Sequence, residues 1–310
     1  TYILIMTGVY DSSLFGTITV DENEVDRKVG VIKEIPKSEI TVASLIKIIQ
    51  HIDLTTLNAN DTKDVVQNLC KMAVDPIDPE LCLKLLSKGF TIDNSTLHTA
   101  AVCVYPSRVK DVIESLKSSD KFNKIRIASV AAGFPSGQYP LKSRLVEIEC
   151  CLEYGANEID IVIDRSLVLT EQWEKLFEEI KAMKDVCKDK ACMKTILAVG
   201  ELRNYNDVYK ASIISMMAGS DFIKTSTGKE TLNATLEFGY VMCKAIKDFY
   251  DKTGIKVGLK PAGGIRTVQD ALQWFYLVKT ELGEAWLNPK LFRIGASGLL
   301  KDIQDNLSIV

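Results

Sequence analysis

The sequence predicts an α/β fold, namely a single (β/α)8 TIM barrel preceded by an N-terminal extension. Short apolar runs rich in Val, Ile and Ala alternate with helix-length patterns, which is typical of parallel strands joined by crossover helices. Eight such runs occur, and a chain of 310 residues is an ordinary length for one barrel. We therefore predict an extension of uncertain structure over residues 1–40 and a barrel domain over residues 41–310. An open, doubly wound sheet is the alternative architecture.

The predicted elements alternate in chain order. Strands are predicted over residues 52–55, 100–105, 125–130, 158–163, 193–198, 221–225, 256–260 and 291–295. Helices are predicted over residues 42–50, 61–72, 108–116, 142–154, 171–187, 207–218, 236–252, 268–282 and 298–307. Residues 76–95 are interpreted as an inserted helix and loop.

The composition is that of an ordinary globular protein and excludes several classes. Apolar residues make up 46% of the chain, charged residues 25%, and the formal net charge is -3. The lysines are scattered among acids, so no nucleic-acid surface is expected. Residues 1–20 are interrupted by Gly and Asp without a preceding positive segment, so neither a signal peptide nor a membrane span is predicted. Eight cysteines without metal-type or disulfide-type spacing favour a reducing, cytoplasmic setting.

Two lysines provide the strongest chemical signal. Lys224 lies in the segment FIKTSTG at residues 222–228, and Lys260 lies in the segment GLKPAGG at residues 258–264. Each stands where an apolar strand opens into a loop, and their separation fits two neighbouring parallel strands. Two ammonium groups about 5 Å apart repel by about 3 kcal/mol at an effective dielectric of about 20, enough to lower one lysine pKa by about two units. The pair predicts a nucleophilic amine near neutral pH.

Other polar residues close the apolar runs at the edge where barrel chemistry gathers. The candidates are Asp53, Thr55, Cys103, Asp160, Lys194, Glu201, Thr225, Thr227, Lys260 and Ser297. Asp160 interrupts an otherwise apolar strand, and a buried carboxylate is costly without a cationic partner. We expect Lys224 and Lys260 to be those partners.

Six segments in a fixed order carry a resemblance to a known family. They are IDLTTL at residues 52–57, AVCVYP at 101–106, EID at 158–160, FIKTSTGK at 222–229, KPAGGIR at 260–266 and RIGAS at 293–297. Over roughly residues 45–307, the chain closely resembles the deoxyribose-phosphate aldolase family. Several motifs in one order are far more specific than any single motif.

This resemblance implies a class I aldolase, a lyase that cleaves 2-deoxy-D-ribose 5-phosphate to acetaldehyde and D-glyceraldehyde 3-phosphate without a metal or another cofactor. It implies that Lys224 forms the Schiff base, that Lys260 lowers the pKa of Lys224, and that Asp160 moves protons with a water near Lys260. The expected partners are phosphosugar and aldehyde substrates, and no nucleic-acid or membrane partner is expected. A homo-oligomer is one possible assembly.

The substrate is expected to lie across the barrel mouth. The candidate substrate-binding residues are Asp53, Thr55, Cys103, Thr227 and Lys229. The candidate phosphate-binding residues, which offer backbone N–H groups after the seventh and eighth strands, are Gly263, Gly264, Gly295 and Ser297.

Some candidates have a simpler interpretation. Asp53 is also suited to capping a turn or to pairing with Lys194. Lys194 and Glu201 are interpreted as a structural ion pair at the barrel rim. Cys103 belongs to a residue type that is more often a small buried hydrophobe than a nucleophile.

The chain also departs from the family pattern. Gly298 stands where many members have a second hydroxyl residue after Ser297, and Val199 replaces a common threonine. The chain stops at Val310 without the terminal tyrosine of many members, which predicts slow proton exchange at the enamine or a truncated chain. Two functional alternatives stay open: a non-catalytic phosphosugar-binding barrel, and a class I aldolase with a different acceptor aldehyde.

Overall fold

A barrel of eight parallel strands forms the centre of the protein. The computed structural model describes residues 9–16 and 18–309. The strands are β1 (Ile52–Thr55), β2 (Ala101–Val104), β3 (Arg126–Ala131), β4 (Glu158–Val162), β5 (Cys192–Ile196), β6 (Phe222–Lys224), β7 (Gly258–Lys260) and β8 (Ile294–Ala296). Strands β1 to β7 pair in chain order, and β8 pairs with β1. Parallel bridges from Leu259 to Phe292 and from Ala262 to Gly295 join β7 to β8, which closes the barrel. The predicted fold is confirmed.

Helices surround the barrel. They are α1 (Glu22–Lys33), α2 (Val42–Ile49), α3 (Lys63–Val74), α4 (Pro79–Ser87), α5 (Val109–Leu116), α6 (Leu141–Glu153), α7 (Arg165–Leu169), α8 (Trp173–Cys187), α9 (Tyr205–Met217), α10 (Leu236–Thr253), α11 (Val268–Leu282) and α12 (Leu299–Ile309). Short 3-10 helices cover Ser12–Leu14, Lys37–Glu39, Pro106–Arg108, Val199–Glu201 and Glu284–Trp286. Within residues 9–16 and 18–309, no helix combines the length and the apolar character that a membrane crossing requires.

The last three strands are shorter than predicted. Each of β6, β7 and β8 has three residues. Strand β8 also begins later than predicted, because Leu291 and Phe292 contact β7 before the chain pairs with β1. The residues that follow Lys224 and Lys260 leave the sheet and are free to shape the barrel mouth.

Side chains on each strand alternate between the helix layer and the barrel interior. Ile159 and Ile161 of β4 and Ile223 of β6 belong to the main apolar core, whereas the residues between and after them, Asp160 and Lys224, are buried polar groups. The interior also contains a second, small apolar cluster formed by Leu57, Ala101, Cys103, Ala128 and Val130. The interior is therefore apolar beside β2 and β3 and charged beside the remaining strands.

The described part of the N-terminal extension packs outside the barrel. Helix α1 buries Val25, Val29 and Ile32 and lies against α10 and α11. The Tyr240 hydroxyl of α10 donates a hydrogen bond to Glu24 at 2.9 Å. Since α10 and α11 follow β6 and β7, the extension supports the wall that carries the two predicted lysines.

Candidate active site

The two predicted lysines are direct neighbours in the sheet. Lys224 of β6 is opposite Lys260 of β7 in the parallel register. Their Nζ atoms each donate a hydrogen bond to Oδ2 of Asp160, at 2.7 Å in both cases. The structure therefore brings together the three residues that the motifs predict to be catalytic.

Asp160 is also held from below by Lys194. The two residues are opposite each other in β4 and β5, and Lys194 Nζ donates to Oδ1 of Asp160 at 2.9 Å. Lys194 Nζ also lies 2.5 Å from Glu158 Oε2 and 3.4 Å from Asp53 Oδ2. Lys194, which was expected at the barrel rim, therefore lies in the barrel interior and pairs with three carboxylates there.

Arg293, which lies just before β8, ties the remaining carboxylates together. Its Nη1 donates to Asp53 Oδ1 at 2.7 Å, and its Nη2 donates to Glu158 Oε1 at 2.9 Å. Asp53 in turn lies 2.5 Å from Lys260 Nζ through its other oxygen. We call the seven residues the charged cluster: Asp53, Glu158, Asp160, Lys194, Lys224, Lys260 and Arg293. None of the seven is more than 5% exposed.

The charged cluster contains three carboxylates and four basic groups. Because net charge is costly in a buried site, the cluster is balanced when one base is neutral. Burial lowers the pKa of Lys224, and the neighbouring Lys260 lowers it further, against the opposing effect of Asp160. Burial also disfavours charge on Lys260, but Asp160 and Asp53 outweigh it and raise the Lys260 pKa. Lys224 is therefore the base that releases its proton most readily.

The cause of this shift differs from the one predicted. Repulsion between the two lysines was expected to lower the Lys224 pKa, whereas burial is the larger cause and the Lys260 charge comes second among the lowering effects. Lys260 remains the charged member because it contacts two carboxylates, while Lys224 contacts one. For Asp160, burial alone would raise the pKa, but Lys194, Lys224 and Lys260 hold it well below the usual range.

A cavity of about 520 Å³ opens above Lys224 at the carboxyl ends of the strands. It is lined by loops that follow β1, β6, β7 and β8. The predicted substrate-binding residues on its wall are Thr55, Thr227 and Lys229. The predicted phosphate-binding residues on its wall are Gly263, Gly264, Gly295 and Ser297. Lys224 is thus a buried amine whose surroundings open to a substrate-sized space.

The loop after β7 requires glycine. Gly263 and Gly264 have φ angles of +84° and +88°, which side chains other than glycine rarely adopt. A Cβ at Gly263 would lie 2.6 Å from Asn233 Oδ1, whereas a Cβ at Gly264 would meet no atom within 4 Å. Across the cavity, α12 begins at Leu299, directly after Ser297 and Gly298. Free N–H groups at a helix start favour anions, so this side of the cavity suits a phosphate.

Glu230 shapes the loop after β6 and was not predicted as a site residue. Its carboxylate accepts hydrogen bonds from the backbone N–H of Thr227 at 2.9 Å and of Gly228 at 3.1 Å. Thr227 Oγ1 accepts a further bond from the Lys229 N–H at 3.0 Å. A carboxylate two to three residues after a Thr-Gly pair is the local sequence signal for such a folded loop.

Two predicted substrate-binding residues do not reach the cavity. Asp53 is fully buried beneath Lys260 and is bound by Arg293. Cys103 is fully buried in the small apolar cluster, and burial raises the pKa of its thiol. Both residues lie inside the barrel, below the surface that a substrate would touch.

The predicted ion pair between Lys194 and Glu201 is wrong. Lys194 belongs to the charged cluster, and Glu201 pairs instead with Arg165 at 2.6 Å. Lys194 lies within β5, where its position opposite Asp160 turns it inward, whereas the Glu201 side chain is 45% exposed beyond the strand.

Other site residues were missed by sequence reasoning. Glu158 stands two positions before Asp160, so strand alternation places both on the inner face. Arg293 stands two positions before Gly295, so the same two-residue alternation places its side chain on the inner face. Thr56, Asn58 and Arg266 also line the cavity, and they adjoin the predicted motifs. Within the described residues, no group of three or more His, Cys, Asp or Glu side chains is arranged to hold a metal ion.

Comparison with known proteins identifies the family. The model of the DeoC/LacD family aldolases matches residues 47–304. The chain is 53% identical to the deoxyribose-phosphate aldolase of Homo sapiens over 298 residues, which cover 95% of this chain and 91% of that protein. It is 54% identical to the deoxyribose-phosphate aldolase of Mus musculus over 268 residues, which cover 86% of this chain and 82% of that protein.

Solved structures agree on the fold. Deoxyribose phosphate aldolase from Aeropyrum pernix superposes with a TM-score of 0.64 at 23% identity, covering 94% of this chain and 100% of that chain. An aldolase named QR15 gives a TM-score of 0.65 at 23% identity, covering 86% of this chain and 99% of that chain. The predicted family and its lyase class are confirmed. Since the family model spans most of the chain and the human relative is identical at more than half of the aligned positions, this chain belongs to the DeoC/LacD aldolase family.

Proposed function

We propose that this chain is a class I deoxyribose-phosphate aldolase that forms its Schiff base on Lys224. The observation that carries the proposal is a buried cluster that is charge-balanced when Lys224 is neutral, with Lys224 on the floor of an open cavity. The relatives from Homo sapiens and Mus musculus are named for the same activity. The proposed substrate is 2-deoxy-D-ribose 5-phosphate in its open-chain form.

The first step is attack by the neutral Lys224 amine on the C1 aldehyde. The resulting carbinolamine takes up one proton and loses water, which gives an iminium ion with one positive charge on nitrogen. That charge forms next to Asp160, whose Oδ2 is 2.7 Å from Lys224 Nζ. A carboxylate with its pKa held well below the usual range is ionised at neutral pH when the iminium forms, so it stabilises that positive charge.

Cleavage follows when the C3 hydroxyl loses its proton. The C2–C3 bond breaks, its electron pair moves toward the iminium nitrogen, and an enamine remains on Lys224 while glyceraldehyde 3-phosphate departs. Protonation of C2 and hydrolysis of the resulting imine release acetaldehyde. Asp160 does not line the cavity, so we assign proton transfer to the Asp160–Lys260 pair acting through a water molecule beside the substrate.

The phosphate end is assigned to the side of the cavity formed by the loops after β7 and β8. Gly263, Gly264 and the start of α12 offer backbone N–H groups there. The exposed side chains of Lys229 and Arg266 add positive charge on the same cavity wall. We assign the hydroxyl groups of Thr55 and Thr227 to orienting the sugar between the phosphate site and Lys224.

Asp53 and Cys103 are assigned roles other than substrate binding. We assign Asp53 to holding Lys260 in its charged form, because it contacts Lys260 and Arg293 rather than the cavity. Cys103 is assigned to packing.

A homo-oligomer and a cytoplasmic location are also proposals. The first is supported by the tetrameric structure named for the Aeropyrum pernix relative. The second is supported by the eight free cysteines.

Borohydride trapping tests the proposal. After incubation with acetaldehyde and borohydride, we expect one ethylated lysine, Lys224, in a peptide mass map. Lys224→Met is expected to lose the adduct and the cleavage activity while unfolding within a few degrees of the parent, because three carboxylates still face three cations. Lys229→Met, at an exposed lysine of the same cavity, is the matched control and should keep the adduct. A parent protein without a selective adduct on Lys224 would favour the non-catalytic phosphosugar-binding barrel.

A further inference from the structure

Three buried charged residues have no step in the proposed mechanism. Glu158, Lys194 and Arg293 lie inside the barrel, none lines the cavity, and all are at most 5% exposed. Buried ion pairs seldom add net stability compared with apolar residues of similar size. Their presence directly beneath the reactive lysines therefore suggests a role in the chemistry.

Contacts connect these residues to Lys224 through other members of the charged cluster. Arg293 and Lys194 both bind Glu158. Arg293 also binds Asp53, which contacts Lys260, and Lys194 also binds Asp160, which contacts Lys224. Asp160 on β4, Lys260 on β7 and Cys103 on β2 act on Lys224 directly. The other buried charged groups of the barrel interior are Asp53 on β1, Glu158 on β4, Lys194 on β5 and Arg293 before β8. From β3, the partly exposed Arg126 reaches Glu158 at 3.5 Å.

We propose that Arg293 and Glu158 are positioning residues that set the protonation state of Lys224 by fixing the net charge of the barrel interior. The inference rests on the proposed function of Lys224 as the Schiff-base lysine. With Arg293 and Glu158 in place, three cations already balance three carboxylates, and a fourth positive charge on Lys224 is in excess. Neither residue touches substrate: Arg293 acts through Asp53 and Lys260, and Glu158 acts through Lys194 and Asp160.

Two single variants must then shift the pH dependence in opposite directions. Arg293→Met removes a cation, so protonated Lys224 becomes the balancing charge, and the rising limb of imine formation moves to higher pH. Glu158→Gln removes a carboxylate, so protonated Lys224 is disfavoured further, and the limb moves to lower pH. Each shift is expected to be about one pH unit, from charges acting at about 10 Å in an effective dielectric of about 20.

The measurement is the initial rate of acetaldehyde trapping by borohydride as a function of pH. The double variant Arg293→Met/Glu158→Gln restores the balance and should bring the limb back toward the parent position. Arg293→Lys keeps the positive charge, so the rising limb of imine formation should stay at the pH of the parent protein. If Arg293→Met or Glu158→Gln does not fold, Arg293→Gln and Glu158→Met remove the same charges with the same expected signs.

Limbs that stay at the parent pH in both single variants, or that move in the same direction, overturn the inference. A loss of packing alone would not produce shifts of opposite sign. Failure of the proposed function looks different, because the parent protein would then show no adduct on Lys224 at any pH. A parent adduct on Lys224 combined with unshifted variants would therefore reject only the role of Arg293 and Glu158.

Discussion

At the scale of single residues, the pKa values of Lys224 and Lys260 differ because each lysine contacts different carboxylates. Lys260 contacts Asp160 and Asp53, and these carboxylates raise its pKa despite complete burial. Lys224 contacts Asp160 alone, and burial together with the Lys260 charge lowers its pKa. The same side-chain type therefore has a raised pKa on one strand and a lowered pKa on the next.

Lys260→Met is expected to make Schiff-base formation require a higher pH. Without Lys260, protonated Lys224 becomes the third cation opposite three carboxylates, so its pKa should rise toward the ordinary lysine value near 10.4. The rate of borohydride trapping near pH 7 should fall at least tenfold and recover as the pH rises. Lys279→Met, at a lysine whose side chain is 55% exposed, serves as the control. An unchanged pH profile in Lys260→Met would show that Lys260 does not lower the Lys224 pKa.

At the scale of elements, the loops after the strands determine the shape of the cavity. The β6 loop is folded by Glu230, and the β7 loop turns through two glycines with positive φ. Gly263 is also restricted by Asn233, whereas Gly264 faces open space. The two glycines leave the backbone of the β7 loop uncovered by side chains at the cavity wall, whereas the N–H groups of Thr227 and Gly228 in the β6 loop are bonded to Glu230.

Gly264→Ala is expected to weaken recognition of the phosphate. The positive φ costs an alanine about 1 kcal/mol of stability, and the added methyl group enters the cavity wall. KM for 2-deoxyribose 5-phosphate should rise severalfold, while turnover of unphosphorylated 2-deoxyribose should change little. Gly254→Ala is the matched control, because Gly254 ends α10 at a φ of +72°, an added methyl group there would meet no atom within 4 Å, and the residue does not line the cavity. Equal effects of both variants on KM would argue against a phosphate site here.

The sequence of the N-terminal extension contains local patterns that are typical of a helix, and they coincide with α1. Asp21 caps the helix, Glu22 and Glu24 occupy its first turn, and Val25, Val29 and Ile32 follow a helical period. The motifs that resemble the family begin only at residue 52, so they give no information about the structure of the extension. Helix α7 was missed for another reason: five residues are too few to show a helical period.

At the scale of the whole molecule, the charged cluster links the barrel strands and makes stability depend on pH. The pKa values of Asp53, Glu158 and Asp160 are lowered in the folded protein, because nearby cations outweigh the effect of burial. In the unfolded chain these carboxyls titrate near pH 4. Their stabilising contribution is therefore fully present above that value and is lost as the pH falls toward the folded-state values.

Acid unfolding is expected to report this linkage. Below about pH 4, each of the three carboxyls should add about 1.4 kcal/mol per pH unit to the decline in the free energy of unfolding. Glu158→Gln should reduce that slope by the contribution of one proton, although the variant is less stable at neutral pH. Glu153→Gln changes an exposed carboxylate on α6 and should leave the slope as it is. The measurement is denaturant unfolding between pH 3 and pH 7, and identical slopes in the parent and Glu158→Gln would contradict the assignment.

The sequence by itself determined the order of the elements, the barrel fold, the family and the inward position of Lys224, Lys260 and Asp160. These properties depend on local apolar periods and on motifs that are continuous in the chain, so no knowledge of distant contacts was needed. The predicted Lys194–Glu201 pair was wrong because Lys194 lies within β5, and the register of β5 against β4 places it opposite Asp160.

Only the tertiary structure decided which carboxylate holds which cation. Arg293 and Asp53 are 240 positions apart in the chain, and Lys260 and Asp160 are 100 apart, yet both pairs are joined at 2.7 Å. A lysine pKa depends on burial and on charges within a few ångströms. Those distances exist only after the barrel closes and the strand register is set, which is why the lowered pKa of Lys224 is a property of the folded barrel.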